Sequence, residues 1–443
     1  MLRSFKASWP RVRRGHTAFL GVYSPAGSPA RYATGVDRHA NLGIDLPAHS
    51  NAVTSRSADC AALHASVGLM NIGLMKIIGL MKTANTSIAA FRIAKSAGRS
   101  TTVHITCSDV AVGPSIADWN AIGHALALEP VPVSRGPDAD IHVRLAPALL
   151  PHPEGATRVS RDERGAVWRD PTGWWVERAA YTARLAPNAP HATLAMTTAL
   201  ASEGETAHWA HAFRDVLTLL LPRTDRMPLH AAALRAPSAY TGLNALLLVG
   251  PSGCSKSTLT TGLLLRGWRC ISDDMLVLSP PAETAPMRAH SLAQTIHVCE
   301  DAWERLALNR STEVSPSSLF GQFTERAKRP LTQQALPDNE RFAAHPAAYR
   351  APCAKPDCIV LPTITDAPTS CLAPVSRADA LTALMEQGVP AALLPADATR
   401  TQWQQMGCLI RQCATYRLRA GLDLYHDPGH LATLLRASAD PSV

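Results

Sequence analysis

The chain has 443 residues, enough for two or three domains that each bury an ordinary core. Hydrophobic residues make up 46% and charged residues 18%, a composition typical of globular proteins rather than disordered chains. The formal net charge of +8 does not indicate nucleic-acid binding, because residues 1–100 carry +10 and the other residues carry −2. We therefore predict no nucleic-acid partner.

Residues 1–100 are rich in Arg, Ser, Ala and Gly, and they lack the periodicity of a domain. Three Gly-Leu-Met triplets lie between residues 68 and 81 in an apolar stretch. Lys76 and Lys82 interrupt this stretch before it reaches the roughly 20 residues of a membrane span, so no transmembrane segment is predicted. The segment is interpreted as a disordered leader or a start codon placed too far upstream; the alternative is a targeting or membrane-surface element.

The ten cysteines are scattered along the chain and form no C-x-x-C pair, so no zinc site is predicted. Cys254 lies inside the loop motif described below, where a disulfide would obstruct a ligand. This pattern favours reduced thiols and a cytoplasmic protein.

Residues 101–222 predict a small β-rich domain. Two apolar runs alternate in the manner of strands, at 102–106 and 141–145. Three tryptophans follow in a turn-rich stretch typical of an antiparallel meander: Trp168, Trp174 and Trp175. An amphipathic helix over 209–220, closed by Pro222, ends the domain.

Residues 245–259 predict a buried strand, a small-residue loop and the start of a helix. This is the layout of a phosphate-binding loop, in which backbone N–H groups at a helix N-terminus surround an anion. Lys256 supplies a positive charge for the β- and γ-phosphates of a nucleotide, and the Ser257 hydroxyl is placed to bind Mg²⁺. The predicted nucleotide contacts are Gly250, Ser252, Gly253, Cys254, Ser255, Lys256, Ser257 and Thr258.

One position departs from the loop pattern G-x-x-x-x-G-K-[ST], because Ser255 stands where glycine is expected. If this position needs a positive φ, a serine there costs about 1 kcal/mol or more, and its Cβ crowds the nucleotide. Both weakened ATP binding and a tolerated variant are compatible with this change.

Two adjacent carboxylates, Asp273 and Asp274, interrupt an apolar run at 270–278 that otherwise predicts a strand. Neighbouring strand residues point to opposite faces, so the two carboxylates have different tasks unless the strand ends or bulges there. We expect one carboxylate near a metal and the other near a substrate hydroxyl; the alternative is a polar strand end.

Further elements follow the acid pair. A strand is predicted at 358–362, a capping box at Ser376 and Asp379 opens a helix, and a strand is predicted at 415–418. A basic run offers positive charge for a transferring phosphate, or is a solvated charge run: Arg326, Lys328 and Arg329.

Three features together resemble the C-terminal domain of HPr kinase/phosphorylase: His230 ahead of a strand, the loop motif, and residues 267–274. The sequence is more similar to the shorter HPr-kinase-related proteins, some of which phosphorylate peptides in lasso-peptide gene clusters. Residues 416–418, followed by Gly421 and Asp423, are similar to the end of those proteins.

The resemblance spans roughly 225–435 and implies an α/β fold. It implies a P-loop kinase domain of the HPr kinase/phosphoenolpyruvate carboxykinase type over 223–435, preceded by a smaller β-rich domain. It also implies ATP and Mg²⁺ as cofactors, with Lys256 on the phosphates and both Ser257 and Asp273 near the metal.

In the same family pattern, Asp274 is the general base for a serine hydroxyl, a role in which Asp273 is the alternative. His230 orients the acid or a phosphate; the alternative is a buried histidine that caps a strand. The Glu-x-Arg-Gly-x-Gly signature of the bifunctional enzymes is absent after the acid pair, which argues against HPr as substrate and against the phosphorylase reaction.

The sequence therefore predicts an ATP-dependent serine kinase that acts on a peptide or small protein, with a lasso-type precursor peptide as the most specific candidate. Two alternatives stay open: a nucleotide-binding protein whose altered loop supports no transfer, and a small-molecule kinase. The sequence leaves the oligomeric state open, a homo-oligomer included.

Overall fold

The computed structural model describes most of the chain from residue 86 to residue 439. The described stretches longer than single positions are 86–96, 99–107, 116–131, 139–162, 165–197, 205–238, 242–281, 285–292, 296–299, 328–330 and 349–439. They belong to one structural unit, with a mixed α/β fold built on two large sheets. The predictions made for residues 1–85 lie outside the described residues.

The first sheet has nine strands in the order β3-β1-β2-β4-β9-β8-β7-β6-β5. Its strands are β1 (Thr86–Ser96), β2 (Arg99–Cys107), β3 (Glu129–Pro130), β4 (Ile141–Leu145), β5 (Thr157–Asp162), β6 (Gly165–Asp170), β7 (Gly173–Arg178), β8 (Tyr181–Leu185) and β9 (His191–Met196). The strands predicted at 102–106 and 141–145 are confirmed, and so is the tryptophan-containing meander. The sheet begins at Thr86, upstream of the domain start predicted at 101.

Two helices, α1 (Ile116–Ala125) and α2 (Glu205–Leu220), contribute to the core of the first sheet. The predicted amphipathic helix is confirmed, and a 3₁₀ turn containing Pro222 follows it. Trp119 of α1 packs edge-on against Phe213 of α2 with ring centroids 5.2 Å apart. Such aromatic pairs bury large apolar areas and fix the position of α2 over the sheet.

The second sheet contains β10 (Met227–Arg235), β11 (Ala245–Val249), β12 (Arg269–Ser272), β13 (Met275–Ser279), β14 (Arg288–Ser291), β17 (Cys353–Ala354), β18 (Cys358–Ile364), β19 (Cys371–Pro374) and β20 (Ala414–Ala420). Its order is β17-β14-β13-β10-β11-β18-β20-β19, and β12 also pairs with β10. Strands β11, β18 and β20 are parallel, whereas β10 is antiparallel to its neighbours. A separate two-stranded ribbon joins β15 (His297–Cys299) and β16 (Lys328–Pro330).

Helices cover both faces of the parallel part of this sheet. They are α3 (Lys256–Leu265), α4 (Arg377–Gln387), α5 (Ala396–Gln412), α6 (Leu422–His426) and α7 (His430–Ala439). Leu246 and Leu248 of β11 pack with α3, α6 and α7, whereas Leu247 and Val249 pack with α4 and α5. Burial on both faces explains why β11 is a continuous apolar run.

The predicted capping box at the start of α4 is confirmed. The Ser376 hydroxyl accepts a hydrogen bond from the Asp379 backbone N–H at 3.1 Å and donates one to the Asp379 carboxylate at 2.8 Å. The strands predicted at 358–362 and 415–418 are also confirmed, as β18 and β20. Helix α5 was not predicted.

Candidate functional site

The predicted phosphate-binding loop, residues 250–255, joins β11 to α3. It therefore lies at the carboxyl end of β11, next to the carboxyl ends of the parallel strands β18 and β20. Ligands of open α/β sheets bind at this edge. Lys256 begins α3, so Ser257 and Thr258 lie in the first helical turn, where backbone N–H groups lack intrahelical partners.

The Lys256 ammonium group folds back onto the loop. Its Nζ donates hydrogen bonds to the backbone carbonyls of Gly250 at 2.7 Å and Pro251 at 3.0 Å. The residue is only 7% exposed. The loop thus encloses a positive charge and a helix start, the two features that attract phosphate.

Ser255 has the backbone conformation that glycine normally supplies. Its φ is +72°, and that of Gly253 is +84°. Position 255 therefore does need a positive φ, which costs a serine about 1 kcal/mol. Ser255 is also the N-cap of α3, yet its side chain makes no capping hydrogen bond.

Gly250 and Cys254 pack tightly across the loop. A Cβ at position 250 would lie 2.8 Å from the Cys254 sulfur, so the loop requires glycine there. Burial raises the pKa of the Cys254 thiol and outweighs the opposing charge of Lys256. Cys254 therefore serves as a neutral packed side chain at neutral pH.

The acid pair lies in the gap between β12 and β13, so the predicted interruption of the strand is confirmed. Both strands pair with β10, and the register places Asp273 and Asp274 opposite Ala232 and Ala231. On their other side, those alanines pair with the last two residues of β11, just before the loop. Two strand spacings, roughly 10 Å, therefore separate the acid pair from the start of the loop.

The two carboxylates have different surroundings, although the strand ends at this pair. Asp273 is 3% exposed, and its Oδ2 accepts a hydrogen bond from the His297 backbone N–H at 3.3 Å. The side chain of Asp274 is 45% exposed. Asp274 is therefore the member of the pair that a substrate can reach.

His230 connects Asp274 to the core. Its Nε2 lies 3.1 Å from Asp274 Oδ1, and its Nδ1 lies 3.0 Å from Gln387 Oε1 at the buried end of α4. The ring is thus held from both sides, which fixes the orientation of the Asp274 carboxylate.

Arg214 of α2 is a site residue that the sequence reasoning missed. Its guanidinium donates to Asp274 Oδ2 at 3.3 Å, so each carboxylate oxygen has its own cationic or imidazole partner. A second guanidinium nitrogen lies 3.2 Å from His211 Nδ1. The only signal in the sequence is a cluster of charged side chains within an otherwise apolar helix.

These contacts set the ionisation of Asp274. Partial loss of water from this half-exposed carboxyl by itself raises its pKa, but the hydrogen bond and charge of His230, then the charges of Arg214 and Lys256, hold the pKa well below its usual range. Asp274 is therefore a carboxylate at neutral pH. Lys256 makes the smallest of these contributions, in keeping with a loop that lies about two strand spacings from the acid pair.

The β15–β16 ribbon is attached to the acid pair through the hydrogen bond from His297 to Asp273. Lys328 and Arg329 of the predicted basic run lie in β16, opposite Cys299 and Val298 of β15. Arg326 lies outside the described residues. That this run covers a transferring phosphate stays a prediction.

The described residues contain no group of three His, Cys, Asp or Glu side chains that could hold a metal ion. Mg²⁺ in nucleotide sites commonly needs only one or two carboxylates, with substrate phosphates and water completing its shell. Ser257 and Asp273 offer the hard oxygen donors that Mg²⁺ prefers. The predicted donor set therefore fits Mg²⁺ in kind.

The sequence matches no protein-family model and none of the curated proteins with which it was compared. Among the helices of the described residues, none combines the length and apolarity that crossing a membrane requires. Eight cysteines of the described part of the chain are free thiols: Cys107, Cys254, Cys270, Cys353, Cys358, Cys371, Cys408 and Cys413.

Proposed function

We propose that this chain is an ATP- and Mg²⁺-dependent serine kinase with a P-loop domain of the HPr kinase/phosphoenolpyruvate carboxykinase type. One observation carries the proposal: Asp274, oriented by His230 and Arg214, lies about two strand spacings from the loop that holds Lys256. An oriented acceptor for a hydroxyl proton thus lies beside a cationic phosphate-binding loop. Phosphoryl transfer requires this combination.

On the nucleotide side, the backbone N–H groups at the start of α3 surround the phosphates. Lys256 exchanges its carbonyl partners Gly250 and Pro251 for phosphate oxygens when ATP binds. Mg²⁺, when bound near Ser257 and Asp273, would neutralise charge on the β- and γ-phosphates.

On the acceptor side, Asp274 accepts a hydrogen bond from the serine hydroxyl and orients its oxygen towards the γ-phosphorus. The new bond forms between this oxygen and phosphorus, the bond to the β–γ bridging oxygen breaks, and ADP leaves. The hydroxyl proton passes to Asp274. A carboxylate with a lowered pKa is a weak base, which suits a loose transition state in which proton transfer comes late.

The acceptor is a serine in a peptide or small protein, with a lasso-type precursor peptide as the most specific candidate. The 45% exposure of the Asp274 side chain favours an acceptor carried on a chain rather than one enclosed in a cavity. The absence of the Glu-x-Arg-Gly-x-Gly signature argues against HPr and against the phosphorylase reaction. A cytoplasmic location is part of this proposal.

A nucleotide-binding protein without transfer activity is the second candidate. The observation that favours it is the positive φ of Ser255, which makes the loop costlier to form than one with glycine. Two carboxylates of different exposure, one of them oriented from two sides, argue for transfer instead, since binding alone does not need them.

The test is mass spectrometry of a serine-containing peptide incubated with the full chain, ATP and Mg²⁺, beside the Asp274→Ala variant. Phosphopeptide that forms with the intact protein and disappears with the variant is expected. ATP binding without transfer to serine peptides or to small hydroxyl compounds would favour the second candidate, and failure to bind ATP would overturn both.

A further inference from the structure

A cavity of about 670 Å³ lies on the first sheet, and its lining residues are distant in sequence from the loop at 250–255. Arg169 and Trp174 line it from β6 and β7, Arg158 lines it from the edge strand β5, and Pro395 and Ala396 line it from the start of α5. The Trp174 indole N–H donates to the Ala392 carbonyl at 3.3 Å, which fixes this indole beside α5. The volume suits a small molecule or a few residues of peptide.

The arginines at this cavity have aromatic rather than acidic partners. The guanidinium carbon of Arg169 lies 5.1 Å from the Trp174 ring centroid, and that of Arg158 lies 5.8 Å from the Trp168 centroid. Neither arginine has an ion pair with a carboxylate among the described residues. Stacking on an indole orients a guanidinium and leaves its edge available for a planar oxyanion.

A third guanidinium, that of Arg223, lies 5.0 Å from the Trp174 centroid. One terminal nitrogen donates to the Leu219 carbonyl, whereas Nε and the other terminal nitrogen are buried without a hydrogen-bond partner in the described structure. Burial lowers the pKa of Arg223 to about 10, so the group is still a cation at neutral pH. Its positive charge has no described carboxylate to neutralise it.

Two further features affect the charge of the cavity, one negative and one positive. Asp170 is the one carboxylate in its lining, and Asp170 Oδ1 already accepts hydrogen bonds from the Thr172 backbone N–H and hydroxyl. Helix α5 has 17 residues, and its N-cap, Pro395, provides no side-chain acceptor for the first N–H groups. The helix dipole therefore adds positive potential where Ala396 lines the cavity.

We propose that this cavity binds an oxyanion, a carboxylate or phosphate group, between Arg169 and the start of α5, with Arg223 supplying a second positive charge beside Trp174. The oxyanion belongs either to a small molecule or to an acidic side chain of a peptide. This site is separate from the phosphate-binding loop and does not depend on kinase activity.

The test is isothermal titration calorimetry of the full chain with two probes, inorganic pyrophosphate and an end-capped tetraglutamate peptide. Arg169→Gln removes the exposed guanidinium and is expected to weaken binding about tenfold or more, the effect of losing a charge-assisted hydrogen bond. Arg161→Gln is the matched control, because Arg161 is exposed on β5, carries the same charge and does not line the cavity. Arg223→Gln removes the second positive charge. If that variant fails to fold, Arg223→Lys is used instead, because it keeps the buried charge.

Lys256→Gln distinguishes this site from the phosphate-binding loop. Lys256 belongs to the loop, so binding in the cavity is expected to persist in that variant. Binding of pyrophosphate alone assigns the site to small oxyanions, and binding of the peptide alone assigns it to acidic peptide segments. The proposal is overturned if neither probe binds, if Arg161→Gln weakens binding as much as Arg169→Gln, or if all binding disappears with Lys256→Gln.

Discussion

The two sheets use positive charge in different ways. At the edge of the second sheet, His230 and Arg214 each contact one oxygen of the Asp274 carboxylate, which compensates part of the positive charge there. At the first sheet, Arg158, Arg169 and Arg223 lie against indole rings, and none of the three has an ion pair with a carboxylate of the described residues. A compensated cluster holds a reactive group in one ionisation state, whereas an uncompensated one attracts an anion from outside.

Helix α2 connects these two arrangements. Asp215, next to Arg214, accepts a hydrogen bond from the Tyr181 hydroxyl at 2.7 Å and lies 3.8 Å from the Arg178 guanidinium. Tyr181 and Arg178 belong to the first sheet, so that sheet helps to position the arginine that contacts Asp274. The candidate site is therefore complete only when both sheets are present.

The largest effect is expected at the compensated cluster. Asp274→Asn keeps the shape of the side chain and removes its charge, so phosphate transfer should fall about 1,000-fold while ATP affinity changes little. Single-turnover transfer and calorimetric ATP binding measure the two quantities. Equal losses of transfer and of ATP binding would mean that Asp274 supports the loop rather than the acceptor.

His290 should make stability depend on pH where the sheets meet. Burial, then the charges of Arg226 and Arg288, lower the pKa of His290 to about 4. The unfolded chain binds this proton below about 6.5, so stability should fall by about 3 kcal/mol as the pH drops from 6.5 to 4.

Urea unfolding across this pH range checks the prediction, with His290→Gln expected to flatten the profile. His152→Gln, at an exposed histidine, is the control and should leave the profile unchanged. An identical acid loss in the His290 variant would assign the effect to another group.

Arg214→Gln tests the contribution of α2 to the site. Loss of a charged hydrogen-bond donor to Asp274 should lower kcat about 30-fold and leave KM for ATP close to its original value. Arg214→Lys should restore part of kcat, because it keeps the charge. Arg235→Gln, an exposed arginine at the far end of β10, is the control; a similar loss there would mean a general charge effect.

The smallest effect concerns the loop backbone. Ser255→Gly should stabilise the protein by about 1 kcal/mol, because glycine adopts the positive φ of this position without strain. Gly253→Ala should destabilise it by a similar amount, although a Cβ there meets no neighbouring atom. Thermal unfolding measures both, and opposite signs are required; a large gain in ATP affinity from Ser255→Gly would favour the non-transferring alternative.

Elements with strong local signals could be predicted from the sequence. Three such elements depend on residues that are neighbours in sequence: the strand–loop–helix unit at β11 and α3, the interruption at the acid pair, and the Ser376 capping box. Alternation along a strand predicts unequal roles for Asp273 and Asp274 only if the strand continues through them; it ends there, and their exposures nevertheless differ. Their chemical roles stay predictions.

Features set by packing between distant residues could not be predicted. Arg214 reaches Asp274 across 60 positions of sequence, and no local pattern encodes that contact. Helix α5 has no polar N-cap, and it buries Gln402 and Gln405, whose amides bind the carbonyls of Val389 and Asp225. These buried polar residues break the apolar periodicity by which helices are recognised.

Kinase activity is tested most directly by single-turnover transfer from γ-labelled ATP to one serine peptide by the intact chain, Asp274→Asn and Arg214→Gln. We expect labelled phosphoserine with the intact chain, much slower formation with both variants, and ATP bound by all three proteins. ATP bound by all three, with no phosphoserine and with label released to water at equal rates, would contradict the proposed kinase function.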